Sequence, residues 1–302
     1  MPGLAQVVVT KIIVPFPAAG ATDIVGRIFS EALSRELDAP VVVVNKAGAG
    51  GAIGMRELVS SAPDGLTLAI ATASTHAAIP ATYKNPPYDV ARDFTYISEL
   101  ARSPGVMVVR PSLPATNMAE FIRYARENPG KLSYGSPGVG SAGQFSAEIF
   151  KASTRTFMVH VPYTGGAAMM NELLGGHIDM ALDNVVSALP HIRVGRLRAL
   201  AVTWPKRLPM LPEVPTFEEL SLPSNNRPAW FGLVGPAGVS PAVISTLNAA
   251  VKRVLDTAGV RERLELAGVF PTASTPGQFA QYVASETDLF RRTARSVNIT
   301  LD

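Results

Sequence analysis

The apolar run Ile12-Ile13-Val14 stops at Pro15-Phe16-Pro17-Ala18-Ala19-Gly20-Ala21-Thr22-Asp23, and an amphipathic stretch follows from Ile24 through Phe29. Continuous rather than alternating apolar residues mark a strand covered on both faces. The 3.6-residue spacing after the loop predicts a helix, with Thr22 as its N-cap and Asp23 in its first turn. A corner of this kind turns free backbone N–H groups outward at the positive end of a helix, where an anion is favoured.

The same pattern recurs along the chain. Pro40 to Asn45 predicts a second buried strand, which opens into the glycine-rich stretch 45–54 and a helix beginning near there. After the turn Pro63-Asp64-Gly65, Leu66 to Ala71 predicts a third strand ending in Thr72-Ala73-Ser74-Thr75-His76. Phe94 to Ser98 and Val106 to Pro111 are two more apolar runs, and a crossing between domains is expected between Arg102 and Gly105. The design then restarts. A helix is predicted from Asn117 to Glu127 and a strand over Leu132 to Tyr134, followed by the loop 135–143 and a helix through Phe150. Strands are predicted over Thr156 to Val161, Ile178 to Asn184 and Leu197 to Thr203, with the loop 162–166 and a further helix after the first of these. Pro205 to Pro228, rich in proline and polar residues, predicts a long irregular return. Trp230 to Val234 predicts a last strand. Ser240-Pro241 and Thr275-Pro276 each start a helix, the first to about Leu255 and the second to about Arg295.

This pattern predicts an α/β protein of two lobes. Residues 1–102 and 229–302 would form a discontinuous first lobe and 103–228 the second. The hinge crossings would lie near 102 and 228, with a ligand cleft between the lobes. Loops 15–23, 45–54, 135–143 and 162–166 share one arrangement of strand, small residues and helix. Glycine makes tight turns in any α/β fold, but two such loops in each expected lobe point to one shared binding cleft at the carboxyl ends of the strands.

Composition narrows the chemistry. The chain has 302 residues, 47% of them apolar and 17% charged, which describes a globular protein with a sizeable core. No apolar run approaches the length of a membrane span. The net charge is +3 with Lys and Arg scattered, which argues against nucleic-acid binding. The chain contains no cysteine, so thiol catalysis, Cys-ligated zinc and disulfides are excluded. That absence also suits an oxidising compartment. Met1 to Gln6 is too short and uncharged for a secretory leader, and Leu4-Ala5-Gln6 has the character of the scar left by a removed one.

Enzymatic readings were weighed on particular residues. Gly138-Val139-Gly140-Ser141-Ala142-Gly143 matches the dinucleotide fingerprint in form. The acidic residue that would hold a ribose about twenty positions on is missing, because that region reads Phe157 to Tyr163, and Pro137 fits the turn badly. No Gly-Lys-Ser/Thr phosphate loop occurs. His76, His160, His177 and His191 have no metal-ligand spacing, although His76 stands at a strand end where it could face the cleft. No Gly-x-Ser-x-Gly nucleophile elbow is present in context. Asp23 and Asp183 are expected at strand–helix corners facing the cleft, where paired carboxylates could do acid–base work. The simpler roles are helix-dipole stabilisation for Asp23 and capping with Asn184 for Asp183, which also stands as a candidate acceptor for a ligand amine or hydroxyl. Phe16, Tyr163 and Trp230 are candidates for core or cleft wall. A nucleotide-dependent or hydrolytic enzyme using Asp183 and Ser141 is the rival reading, and a sensory ligand-binding role is a third.

Six segments carry a resemblance. Val-Pro-Phe-Pro-Ala-Ala-Gly-Ala-Thr-Asp (14–23), Val-Asn-Lys-Ala-Gly-Ala-Gly-Gly-Ala-Ile-Gly (44–54), Ala-Pro-Asp-Gly-Leu-Thr-Leu (62–68), Tyr-Gly-Ser-Pro-Gly-Val-Gly-Ser (134–141), Val-Pro-Tyr-Thr-Gly-Gly (161–166) and Leu-Arg-Ala-Leu-Ala-Val-Thr (197–203) together resemble the Bug receptors. These are the periplasmic solute-binding components of tripartite tricarboxylate transporter systems (TctC-like), and the resemblance runs through nearly the whole chain in order. It implies a type II periplasmic-binding fold that closes by hinge motion on a small carboxylate: a di- or tricarboxylate, an amino acid or an aromatic acid. The bound acid would be delivered to the membrane permease subunits of the transporter, with no cofactor, no metal, no catalysis and a monomeric receptor. In the family the ligand carboxylate is held by backbone N–H groups, hydroxyls and ordered water. Carried over by position, the first lobe would offer Phe16, Ala19, Gly20, Thr22, Asp23, Gly50, Ala52, Thr72, Ser74 and Thr75. The second would offer Ser136, Gly140, Ser141, Tyr163, Thr164 and Asp183. The family commonly has Gly-Gly where this chain has Ala19-Gly20. The methyl group narrows that loop, and a backbone φ above zero is not expected at Ala19. The segment Thr72 to His76 varies with ligand in the family.

Overall fold

A computed structural model of the chain describes residues 8–296. The expected leader scar Leu4-Ala5-Gln6 and the last six residues of the expected first lobe, 297–302, lie outside the described residues. Two sheets organise the rest. The six-stranded sheet has the order β11-β4-β10-β3-β1-β2. Its strands are β1 (Thr10–Val14), β2 (Val41–Asn45), β3 (Thr67–Thr72), β4 (Phe94–Ser103), β10 (Ala229–Pro236) and β11 (Phe270–Pro271). The five-stranded sheet has the order β7-β6-β8-β5-β9, built from β5 (Gly105–Val109), β6 (Ser133–Ser136), β7 (Val159–Pro162), β8 (Met180–Asn184) and β9 (Arg198–Thr203).

Apart from the short edge strand β11, the two sheets have one plan. In the first, β1 lies parallel between β2 and β3, and β10 runs antiparallel between β3 and β4. In the second, β6 lies parallel between β7 and β8, and β5 runs antiparallel between β8 and β9. Each inserted antiparallel strand is the one that has just arrived from the other sheet. Only Pro104 separates β4 from β5, and the returning β10 pairs its first residue, Ala229, with Ser103. Thr203 Oγ1 accepts a 2.6 Å hydrogen bond from Gly105 N beside this crossing. The connections between the sheets therefore run side by side.

Helices cover the faces of both sheets. Helix α1 (Ala21–Leu37) packs against α8 (Pro241–Asp256) through Phe29 and Leu33 over Ile12 and Val14, all buried. The opposite face buries Ile13 and Trp230 beneath α2 (Ala52–Val59) and α10 (Pro276–Ser296). In the second sheet, α4 (Met118–Glu127) and α5 (Ala142–Thr154) cover one face, and α6 (Gly166–Leu174) and α7 (Val185–Arg193) the other. Helix α5 also reaches across to the first unit. Its Phe145 stacks on Phe290 of α10 with ring centroids 4.4 Å apart and planes inclined by 18°.

Local chemistry explains most of the boundaries. Asn117 caps α4 by accepting from Glu120 N at 3.0 Å, and Ser240 caps α8 by accepting from Val243 N at 3.4 Å. The N-cap of α1 is Gly20 rather than Thr22, which lies inside the first turn, and no side chain caps this helix. The run Val41–Val44 is not covered on both faces. It forms the edge strand β2, with Val42 44% exposed, and its β-branched residues suit an edge as well as a centre. Helix α7 was not foreseen because Pro190 lies inside it, and proline normally argues against a helix interior. Helix α9 (Ala258–Leu266) was also missed; four of its nine residues are charged and it buries only Val260 and Leu264.

After β3 the chain enters a tight π-type turn, Ser74–Ala78. This turn carries His76 away from any cleft and into an aromatic nest of Tyr88, Phe94 and Tyr96. The imidazole is fully buried, and burial holds its pKa down to about 3, so it is neutral in the folded protein.

The closeness of this packing is testable at Gly232 in β10. A Cβ there would lie 1.9 Å from Phe279 Cζ, with further ring atoms inside 3 Å. Gly232→Ala is expected to destabilise the fold by about 3 kcal/mol through overpacking. A chemical-denaturation midpoint indistinguishable from wild type would contradict it.

Candidate functional site

The carboxyl ends of β1 and β3 in one sheet and of β6 and β8 in the other face each other across a cavity of about 130 Å³. These are the places where strand order reverses in each sheet, where α/β proteins bind ligands. The crossing residues Gly105, Thr203 and Ala229 form its floor. Room of this size accommodates on the order of ten waters, or a small acid with a similar number of non-hydrogen atoms.

One buried carboxylate shapes the loop after β1. Asp23 Oδ2 accepts from Ala19 N at 2.9 Å and from Arg27 Nε at 2.8 Å, and Oδ1 accepts from Asn45 Nδ2 at 2.8 Å. Asn45 Nδ2 also donates to Phe16 O at 3.0 Å, and Arg27 Nη2 donates to Asn45 Oδ1 at 3.1 Å. Burial alone would raise the Asp23 pKa, but the bonds from Arg27, Asn45 and Ala19 and the Arg27 charge hold it below its ordinary value. The carboxylate is thus spent inside the loop and does not face the cleft as the sequence suggested. Its ties leave the first N–H groups of α1 uncapped beside Gly20, Ala21 and Thr22, which line the cavity. Ala19, exposed at the loop tip, adopts φ +66°. This overturns the expectation that its methyl group would forbid a left-handed backbone. The Asp23 bond to Ala19 N holds the residue in a conformation that alanine enters at a cost of about 1–2 kcal/mol.

The other expected residues divide by position. Phe16, Gly20, Thr22, Thr72, Ser74 and Asp183 line the main cavity. Phe16 also borders an adjoining outer cavity with Gly50, Tyr163 and Thr164. Ser74 Oγ accepts a 3.0 Å hydrogen bond from Ala142 N, so a hydroxyl of the first unit caps α5 of the second. Ser141 caps the same helix by accepting from Gln144 N at 3.3 Å, and Gly140 N is held by Gln144 Oε1 at 2.7 Å. Gly50 and Gly138 meet where the loops touch; a Cβ at Gly50 would lie 3.2 Å from Val139 O. Three other expected residues point away from the cavity. Thr75 bonds Thr72 N at 3.0 Å and His76 Nδ1 at 2.9 Å. Ser136 bonds Gly138 O at 3.0 Å and His160 Nε2 at 2.6 Å. Ala52 starts α2 and is buried. Their hydroxyls and methyl hold the loops in shape.

Asp183 ends β8 in front of the first turn of α6. A Cβ on Gly166 would lie 3.8 Å from its Oδ1. Oδ2 accepts from Ser187 Oγ at 2.7 Å. Burial pushes its pKa up, and the hydrogen bonds from Ser187 and Asn184 N counter only part of that. Among the described residues no basic side chain pairs with it, which distinguishes it from Asp23. The sequence reading missed Arg227 and Glu286, which line the far end of the cavity with Trp230. Arg227 lies in the irregular return and Glu286 in a long amphipathic helix, so neither carries a local motif. Among the described residues, no cluster of His, Cys, Asp and Glu has the geometry of a metal site, and no helix is long and apolar enough to cross a membrane.

Two α/β lobes with one sheet plan, joined by paired crossings over a shared cleft, define the periplasmic-binding-protein fold. The comparisons place the chain within that class. A family model for the tripartite tricarboxylate transporter family receptor matches residues 25–299, and the chain belongs to this family. It is 34% identical to Protein BugT of Bordetella pertussis over 277 residues, covering 91% of this chain and 85% of that one. A solved structure described as a periplasmic transporter superposes with a TM-score of 0.95 at 39% identity, covering 97% of this chain and 98% of the other. The R. palustris protein Rpa4515, solved with adipate, superposes with a TM-score of 0.93 at 32% identity, covering 96% and 97%. The protein is a solute-binding receptor by family.

Two substitutions test the loop. Ala19→Gly is expected to stabilise the protein by about 1 kcal/mol by relieving the left-handed alanine; a thermal midpoint that falls would show that the backbone there is not strained. Asp23→Asn should cost about 2 kcal/mol at neutral pH, because charge-assisted hydrogen bonds are lost. The folded pKa of Asp23 lies below the unfolded value. Its contribution is therefore present above the ordinary carboxylate range and disappears as pH falls through the lowered value. The gap between wild type and variant, read by denaturation at several pH values, should close in acid; a pH-independent gap would contradict this role.

Proposed function

We propose that the protein captures a small carboxylate in the cleft by hinge closure, outside the cytoplasm, and delivers it to the membrane subunits of a tripartite tricarboxylate transporter without catalysing a reaction. The observation that carries the reading is the uncapped N-terminus of α1 opening into the cavity beside Gly20 and Thr22. Backbone N–H groups at the positive end of a helix favour a carboxylate. The hydroxyls of Thr22, Thr72 and Ser74 stand in the same cavity as further neutral partners. Adipate in a structural relative supports an acid of this size. The hinge on this reading divides 1–102 and 229–302 from 103–228 and turns at the crossings through Pro104 and Pro228. The receptor acts as a monomer.

Affinity for dicarboxylates and amino acids, measured by calorimetry, tests the reading against NAD(P) and ATP as rivals. A thermal shift with a nucleotide and none with any acid would sink it. Retention of membrane permease subunits on the immobilised receptor tests delivery. Because the gripping donors are neutral, affinity should change less than about threefold between low and moderate salt; a steep loss would mean direct pairing with exposed Lys or Arg. Gly20→Val has backbone room, since φ is −83° and a Cβ meets nothing closer than Pro17 O at 3.7 Å. It should weaken acid binding at least tenfold while the protein stays folded, and unchanged affinity would remove α1 as the seat.

A further inference from the structure

The cavity does not end at the loops. Its far end lies against the crossings, where Arg227 precedes Pro228 and Glu286 faces in from α10. Arg227 donates from Nε to Ser224 O at 3.1 Å, and among the described residues no ion pair joins it to Glu286. Burial pushes the Arg227 pKa down, and the nearby Glu286 charge restores only part of it. Burial likewise raises Glu286, against the opposing pull of Arg227, Trp230 and Arg102. Arg102 itself is committed to Glu99, at 2.6 Å, and stacks over the Tyr282 ring. Trp230 is fully buried, and its Nε1 beside Glu286 has no hydrogen-bond partner. A buried donor without a partner is rare and costly. This corner therefore holds a guanidinium with one carbonyl partner at Nε, and a carboxylate that faces the buried Trp230 indole N–H without a hydrogen bond of ordinary geometry.

We propose that Arg227, Trp230 and Glu286 form a second subsite at the hinge end of the cleft, and that it takes a group able both to accept and to donate hydrogen bonds. The ligand would then be a monocarboxylate whose far end is neutral and carries both an acceptor and a donor, such as a carboxamide, in preference to a dianion. The acceptor atom would take N–H groups from Arg227, the donor would meet Glu286, and the Trp230 ring would wall the subsite.

The charge balance of the cavity points the same way. Its walls carry one guanidinium, Arg227, against two carboxylates, Asp183 and Glu286, that have no ion-pair partner among the described residues. One ligand carboxylate is provided for at α1. A second would enter a corner where Glu286 repels it, while a donor-bearing group finds an acceptor at Glu286 and another at Asp183.

This inference rests on the carboxylate-receptor reading, and isosteric probe pairs separate the two. Calorimetry at neutral pH compares succinate with succinamate, glutarate with glutaramate and adipate with adipamate. Each pair has the same size and differs at one end by carboxylate against carboxamide. The monoamide is expected to bind at least tenfold more tightly than its diacid in the best-fitting pair. In Glu286→Gln, with folding checked by thermal unfolding, that preference should fall at least tenfold, because the repulsion of the second carboxylate is gone. Diacids binding as well as or better than their monoamides to the wild-type protein would overturn the subsite and leave the carboxylate seat standing. So would an unchanged preference in the folded variant. Absence of binding by every member of every pair would overturn the subsite, and the carboxylate seat would fall with it only if the other acids tested above also failed to bind.

Discussion

The buried carboxylate of Asp23 is the constraint on which the cleft depends. Left alone, a carboxylate at the start of a helix would satisfy the helix's own free N–H groups. Here both oxygens are claimed from the side and below, by Arg27, Asn45 and Ala19. Asn45 comes from the end of β2, so the tie joins two neighbouring strand ends and fixes the loop to the sheet. The negative charge is compensated within the loop and does not add to the cavity. The helix end is left without a side-chain cap, and the strained Ala19 is a by-product of the same tie.

Much of the architecture was legible because the two sheets repeat one local grammar. Buried runs such as Ile12–Val14 end in small residues, and helices follow with caps like Asn117 and Ser240 that can be read directly. Legibility failed where a residue's role was set by distant partners. The edge position of β2 is invisible in Val41–Val44, since a β-branched run looks alike at an edge and in a centre. Pro190 hid a helix whose neighbours tolerate it. The segments that resemble the receptor family include loops that border the cavities, but sequence could not separate residues that face the cavity from those that shape the loops. Thr72 and Thr75 are three positions apart. One lines the cavity, while the other is buried beneath it and bonds the first residue's backbone. Arg227 and Glu286 were missed for the same reason, because only tertiary folding brings the return segment and the last long helix together.

The common sheet plan also explains why the cleft lies where it does. Each lobe receives an antiparallel strand from the other, so the crossings are pinned within the sheets and pass directly beneath the site. Ligand contacts at Gly105, Thr203 or Ala229 would touch the connecting strands themselves. The floor of the cleft is therefore made of the same few residues that join the two sheets, and the proposed hinge would turn directly beneath the site.

The stack of Phe145 on Phe290 gives lobe closure a thermal signature. The two rings belong to different lobes, and parting them would bring apolar surface into contact with water. Hydration of such surface carries a large heat-capacity increment, and the attraction that opposes it weakens on cooling. On the proposed hinge closure, a balance between shut and open forms that parts these rings would be curved in temperature rather than fixed by geometry alone. Cold would then favour the open arrangement, and water leaving two phenylalanines would do part of the work of closing.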